Sequence, residues 1–326
     1  MIQIDESFKG VISITKQGAP ILRYHSGYAN LTCKVLNTME TRFGTASAGK
    51  VFVALAILKL IEEKKLSFDT CIGDLLDWQN ENIDLSITVR ELLTHTSGIP
   101  DYFDESVMDN YDELWTDYPN YKIRTSWDLM PLFIDKPMQY KRGDHFSYNN
   151  TGYVVLGYLI EKITGKAFDS YLEEIIFNPC GMSDTGYYEL DRLPTRCATH
   201  YCYDVLKDEY YSNIYSIDVK GSGAGGVFTT VGDIEQFWMH LMKGNILSQE
   251  MVGEMLNPQT VECCYGYGVW LRKQKDGNYL PYFQGSDPGV SFISSYDLKK
   301  ERIVTMISNF ACDVWKIHQI LESEQE

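Results

Sequence analysis

Basic residues are scarce in this chain. Its 326 residues carry 29 Lys and Arg against 45 Asp and Glu, a formal net charge of −16. Nucleic acid and anionic membrane both need basic patches, so neither is an expected partner. No run of 18 apolar residues is present, which removes a candidate membrane span. The opening residues, Met-Ile-Gln-Ile-Asp-Glu-Ser-Phe-Lys, have neither the basic start nor the apolar stretch of a secretion signal. As written, the chain is expected to be cytoplasmic, or exported if an N-terminal segment is missing. The eight cysteines include no Cys-x-x-Cys pair, and no histidine stands at zinc-like spacing from them. No metal or other cofactor is therefore expected. The thiols read as small buried hydrophobes, with adjacent Cys263 and Cys264 as the one candidate redox pair. Internal repeats and low-complexity segments are also absent.

What is present is an ordinary globular composition, 44% hydrophobic and 23% charged, enough for a large core. Residues 8–32 read as two strands around the turn Lys16-Gln-Gly-Ala-Pro20. The spacing predicts a helix over 48–64 and a short one beginning at Ser86 or Thr88. Two more are predicted from Gly152 to Glu161 and through Phe168 to Ile176, then one over 231–243. Strands follow at Tyr267–Arg272, Leu280–Phe283, Val290–Ser295 and Ile303–Ser308, and a helix over 313–323 closes the chain. Strands at both ends with helices between them predict an α+β fold. Its antiparallel sheet comes from both termini (1–75 with 215–326), with an inserted, mostly helical region over 76–214. Residues 101–140 are acidic and aromatic. They suit either a lid or substrate wall or a packed excursion, and the packed excursion is the preferred expectation.

The chemistry centres on Thr41-Arg-Phe-Gly-Thr-Ala-Ser-Ala-Gly-Lys50. Ser47 and Lys50 are three residues apart at the start of a predicted helix, where positions i and i+3 share a face. A serine hydroxyl needs a base before it attacks, and a desolvated lysine can be that base. A bare Ser-x-x-Lys arises about once by chance in a chain of this length, and Ser13-Ile-Thr-Lys16 is a second copy. That copy lies on a strand, where residues three apart point to opposite faces. Ser47 also makes sense as an ordinary helix N-cap. A further candidate element is Phe146-Ser-Tyr-Asn-Asn-Thr-Gly-Tyr153. A tyrosinate at Tyr148 could accept the serine proton and pass it on, and the Asn150 amide could hold a substrate carbonyl.

These blocks resemble the serine beta-lactamase-related family: class C beta-lactamases, D-alanyl-D-alanine carboxypeptidases and penicillin-binding-protein-like esterases. The resemblance runs in the family's order from the Ser47 segment through Ile87-Thr-Val-Arg-Glu-Leu-Leu-Thr-His-Thr-Ser-Gly-Ile-Pro100 and the Tyr148 segment. It continues at Asn178-Pro-Cys-Gly-Met-Ser-Asp-Thr185, Gly225-Gly-Val-Phe-Thr-Thr-Val-Gly-Asp-Ile-Glu-Gln-Phe237 and Asp287-Pro-Gly-Val-Ser-Phe292. It implies a beta-lactamase/transpeptidase-like fold in which Ser47 is acylated, Lys50 is its base, Tyr148 shuttles a proton and Asn150 contacts the substrate amide. It also implies an oxyanion hole made of the backbone N–H groups of Ser47 and Ser286. His95 is implied to be structural.

One block departs from the pattern. The family's third motif, Lys-Thr-Gly or His-x-Gly, aligns with Phe283-Gln-Gly285. The glycine is kept for close approach of the substrate backbone, but a phenylalanine replaces the cation that attracts a substrate carboxylate. With Phe283, Gly285 and Ser286 taken as substrate-binding positions, the expectation is an acyl-enzyme serine hydrolase of small-molecule or peptide esters or amides that lack the carboxylate. D-alanyl-D-alanine carboxypeptidase or weak beta-lactamase activity is the alternative, and a non-catalytic binding protein on the same fold is the alternative of another class. Substrate identity and oligomeric state stay open.

Overall fold

Strands buried on both faces read as near-continuous apolar runs, and Gly10–Lys16 and Arg302–Ser308 are of that kind. The computed structural model describes residue 4 and residues 7–108, 110–260 and 264–323. It pairs these two strands at the middle of a six-stranded antiparallel sheet. In spatial order the strands are Ala19–Ser26, Gly10–Lys16, Arg302–Ser308, Val290–Asp297, Tyr279–Asp287 and Trp270–Lys273. Both ends of the chain therefore build one sheet, as expected.

Side chains alternate across each strand, and both faces are covered. Ile12, Ile14, Ile293, Val304 and Met306 pack against Phe8 and against Val314 and Leu321 of the last helix, Val314–Ser323. Val11, Phe283, Phe292, Ile303 and Ile307 join the larger core on the other face. That core takes in helices Lys50–Glu62, Asn150–Thr164 and Val231–Met242. A polar row crosses this face, with Ser13 opposite Thr305 and Thr305 opposite Ser294. Trp238 donates to Ser294 Oγ at 2.9 Å, and Ser13 bonds to Glu235 and Arg23. Ser13 is thus committed to holding a helix on the sheet, while Lys16 is exposed.

The helix Lys50–Glu62 is buried on almost every side and so carries no amphipathic stripe. A 3₁₀ turn, Ala46–Gly49, precedes it, so Ser47 sits in that tighter turn and does not cap the helix. The region 101–140 divides. Trp115, Ile123, Leu129 and Phe133 pack into the core, whereas Tyr102, Phe103, Glu105, Met108, Asn110, Tyr111 and Asp112 line a cavity. An unforeseen hairpin, Tyr201–Asp204 with Glu209–Ser212, lies nearby. Among the described residues no helix is long and apolar enough to cross a membrane. The described cysteines are free thiols, and Cys263 of the candidate redox pair lies outside the described residues.

Candidate active site

The Ser47 turn is held in a backbone shape that few side chains adopt. Ala46 has φ of 51°, a left-handed conformation that costs energy and persists only where its surroundings enforce it. Here Gly226 N–H donates to Ala46 O at 3.0 Å, and Thr45 N–H donates to Val227 O at 3.0 Å. Two glycines let neighbouring backbone come this close. A Cβ on Gly225 would lie 2.4 Å from Ala46 O, and one on Gly285 would lie 2.1 Å from Thr45 O and 2.7 Å from Ser47 N. Gly285 therefore admits the nucleophile's own turn, a role the sequence did not suggest.

Lys50 is 2% exposed. Its Nζ lies 3.0 Å from Ser47 Oγ, 2.8 Å from Asn150 Oδ1 and 2.6 Å from the Ala224 carbonyl. Burial lowers its pKa to about 8, partly opposed by Glu105, Asp101, Asp287 and Asp218. A neutral amine has two N–H donors and one lone pair. The Ala224 carbonyl and Asn150 Oδ1 can only accept, so they take the two donors. The lone pair is left for the Ser47 hydroxyl.

Asn150 is held in the orientation this requires. Its Nδ2 donates to Phe103 O at 3.1 Å, and its backbone N–H donates to Asp101 Oδ2 at 2.8 Å. Asp101 also accepts from Thr151 N–H at 3.0 Å, so its carboxylate sits at the start of a 15-residue helix, where a negative charge is favoured. Burial nonetheless raises the Asp101 pKa to about 6. Sequence reasoning missed Asp101. Its only signal was an acidic residue directly after the Thr94–Pro100 loop.

Tyr148 hydrogen-bonds to Ser47, and burial pushes its pKa well above the usual phenol value. It is a neutral phenol, which corrects the expectation of a tyrosinate base. Lys50 Nζ lies 5.0 Å from the centre of its ring. His95 braces the segment on both sides of this tyrosine. His95 O accepts from Ser147 N–H at 2.9 Å, and His95 Nδ1 accepts from Asn149 N–H at 3.1 Å. Nε2 therefore carries the proton and donates to Tyr265 Oη at 3.2 Å. The His95 ring also lies 4.5 Å from that of Tyr148. Burial keeps His95 neutral, with the Lys50 charge acting in the same direction.

Phe283 is placed differently from the expectation. It is 2% exposed and packs among Phe52, Phe237, Trp238 and Phe292 beneath the Lys50 helix. It does not line the cavity, so its assignment as a substrate-binding residue is corrected. Ser286, one residue beyond Gly285, is exposed and does line it.

That cavity measures about 520 Å³ and opens over Ala46 and Ser47. Tyr102, Phe103, Glu105, Tyr111 and Asp112 form one wall, so this part of the 101–140 region lines the cavity and is not merely a packed excursion. Asp218, Asp287 and Pro288 lie on other parts of the lining, with no Lys, Arg or His among the described lining residues. Among the described residues no group of three or more His, Cys, Asp and Glu side chains is placed to hold a metal ion.

A half-buried serine bonded to a buried lysine, a neighbouring tyrosine and a glycine-backed turn beneath an open cavity are the parts of an acyl-transfer site. The Beta-lactamase family model matches residues 4–311, and the chain belongs to that family. Penicillin-binding protein 4* of Bacillus subtilis is 28% identical over 322 residues, spanning 93% of this chain and 68% of that protein. The crystal structure of a penicillin binding protein from Bacillus halodurans superposes with a TM-score of 0.91 at 36% identity, covering 97% of this chain and 96% of the other. The D-amino acid amidase of Ochrobactrum anthropi SV3, complexed with L-phenylalanine amide, superposes with a TM-score of 0.79 at 25% identity, covering 98% and 95%. Family and fold are those of serine hydrolases.

Proposed function

We propose that this protein hydrolyses an ester or amide through an acyl-enzyme on Ser47, and that its substrates lack the carboxylate of penicillins and D-alanyl peptides. The observation that carries the reading is the bonding of Lys50. Two acceptor-only partners take two of its N–H donors, so in the neutral amine the lone pair is left facing Ser47 Oγ, 3.0 Å away. Lys50 takes the hydroxyl proton as Oγ bonds to the acyl carbon, and the carbonyl electron pair moves onto oxygen. The backbone N–H groups of Ser47 and Ser286 are the donors for that oxyanion. Tyr148 then gives its proton to the departing oxygen or nitrogen and recovers one from the Lys50 ammonium. In deacylation water enters in the leaving group's place, and the same groups return a proton to Ser47.

The carboxylates on the cavity wall argue against a carboxylate-bearing substrate, because like charges repel most strongly where water is excluded. Intact-protein mass after exposure to a p-nitrophenyl ester or to a penicillin tests both parts of the reading. An adduct or ester turnover that disappears in Ser47→Ala is expected, with the ester preferred. Turnover that survives in Ser47→Ala overturns the nucleophile. Penicillin hydrolysis faster than ester hydrolysis overturns the substrate class.

A further inference from the structure

One end of the cavity gathers acidic groups with no Lys, Arg or His among the described lining residues. Glu105, Asp112, Asp218 and Asp287 all line it. Asp287 has no side-chain hydrogen bond or ion pair to any described residue, and its surroundings act on it only through burial and the charges of Asp218, Lys50 and Glu105. Asp218 has one side-chain partner, Tyr111 Oη at 3.4 Å, and that hydroxyl lies 3.3 Å from Tyr102 Oη. Lys50 cannot serve as the missing cation, because its nitrogen is already committed to Ser47, Asn150 and Ala224. Burial and mutual repulsion raise Asp287 to about 8, and burial raises Asp218 to about 6.

Carboxyls with few or no hydrogen-bond partners in a low-dielectric setting are costly in their charged form. Nothing in the Ser47 mechanism uses either one. Both open into the space above the nucleophile, beside the rings of Tyr102, Phe103, Tyr111 and Tyr211. Carboxylates among aromatic rings are how proteins hold an ammonium group, the first through charge and the second through the negative faces of the rings.

We infer that the Asp218–Asp287 end of the cavity is a subsite for a cationic group of the substrate, so that the preferred ester or amide carries an ammonium. This rests on the reading of Ser47 as the nucleophile in the same cavity. The chain's net charge of −16 works in the same direction, drawing cations toward it.

The test separates binding from chemistry. Three methyl esters of similar size, ending in trimethylammonium, tert-butyl or carboxylate, are titrated calorimetrically into Ser47→Ala, which cannot be acylated. The trimethylammonium charge does not titrate, so the pH can be set above about 8, where Asp287 and Asp218 are ionised. The cationic ester should bind about tenfold or more tighter than the neutral one, and the carboxylate ester weakest. Adding Asp287→Asn or Asp218→Asn should cut the cation-to-neutral ratio about tenfold, and the neutral ester serves as the reference for an intact cavity. Equal binding of the cationic and neutral esters, or a ratio that neither substitution moves, overturns the subsite. Turnover by the native protein is then measured with the same acyl groups as p-nitrophenyl esters, and with thioesters that carry the three groups on the leaving thiol. A cationic preference is expected in at least one set and its absence from both overturns the inference. Cation-selective binding with no Ser47-dependent turnover would instead overturn the hydrolase reading and leave the subsite standing.

Discussion

The floor and the wall of the same cavity are built on opposite principles. On the floor, hydrogen bonds of 2.8 to 3.0 Å join Ser47, Lys50, Asn150 and Asp101 in turn, and His95 bonds to Asn149 and Tyr265 at 3.1 and 3.2 Å. On the wall, among the described residues, Asp287 has no side-chain partner and Asp218 has one weak one. A satisfied network fixes geometry, as a reaction that needs its groups placed in advance requires. An unsatisfied set of charges holds interaction energy in reserve for whatever enters. The contrast teaches that the chemistry on the floor is complete before substrate arrives, while recognition on the wall is not.

Breaking the floor should cost most. Lys50→Met keeps the bulk of the side chain but removes the lone pair, and ester turnover should fall about a thousandfold, the scale of a lost general base. Steady-state kinetics on a neutral ester would show it, and a loss of only a few-fold would move the base elsewhere. Next in size is Gly285→Ala. Its Cβ would lie 2.1 Å from Thr45 O, so the strand or the Ser47 turn must shift. Overpacking of this kind costs about 1–3 kcal/mol, and misplacement of the nucleophile about a hundredfold in kcat. Thermal melts and kcat measured together separate the two effects.

A gentler perturbation of the floor is pH. Burial depresses Lys50 to about 8, so the free base forms above that value and is lost as pH falls. The kcat/KM for a neutral ester should rise about tenfold per unit below pH 8 and level off above it. A neutral ester is needed because Asp287 titrates in the same range and faces Asp218, Glu105 and Lys50. A profile flat from pH 6 to pH 9 would contradict the assignment. The smallest effect is expected at His95. His95→Gln can still donate to Tyr265 but loses the ring against Tyr148 and the acceptor for Asn149 N–H. A kcat lower by about three- to tenfold with KM unchanged is expected, and a rise in KM alone would show that the loop positions substrate instead.

How legible this was in the sequence depended on how far apart the interacting groups lie along the chain. The spacing of Ser47 and Lys50 is local, and helical geometry alone brought them to one face. Tyr148 and Asn150 sit about 100 residues on and were placed only by the resemblance. The two long-range partners that aim Lys50 split in the same way, since Asn150 has a side chain to read and Ala224 contributes only a carbonyl. Phe283 was misplaced because an apolar residue on a strand can face cavity or core, and only the packing around Phe52, Phe237 and Trp238 decides it. Asp101, Asp218 and Asp287 belong to three separate segments and acquire meaning only where the fold gathers them. The sheet was more readable, because buried strands such as Gly10–Lys16 and Arg302–Ser308 carry their burial in composition. The hairpin at 201–212 is exposed over much of its length and offered no such pattern.

The central claim is that burial leaves Lys50 with a lone pair for Ser47 near neutral pH. Its most direct test is an NMR titration of lysine labelled with ¹³C at Cε, with Lys50 assigned by its absence in Lys50→Arg. The account predicts one lysine titrating near 8. A Lys50 that titrates at the ordinary lysine value of about 10.5, with every other signal unchanged, would contradict it.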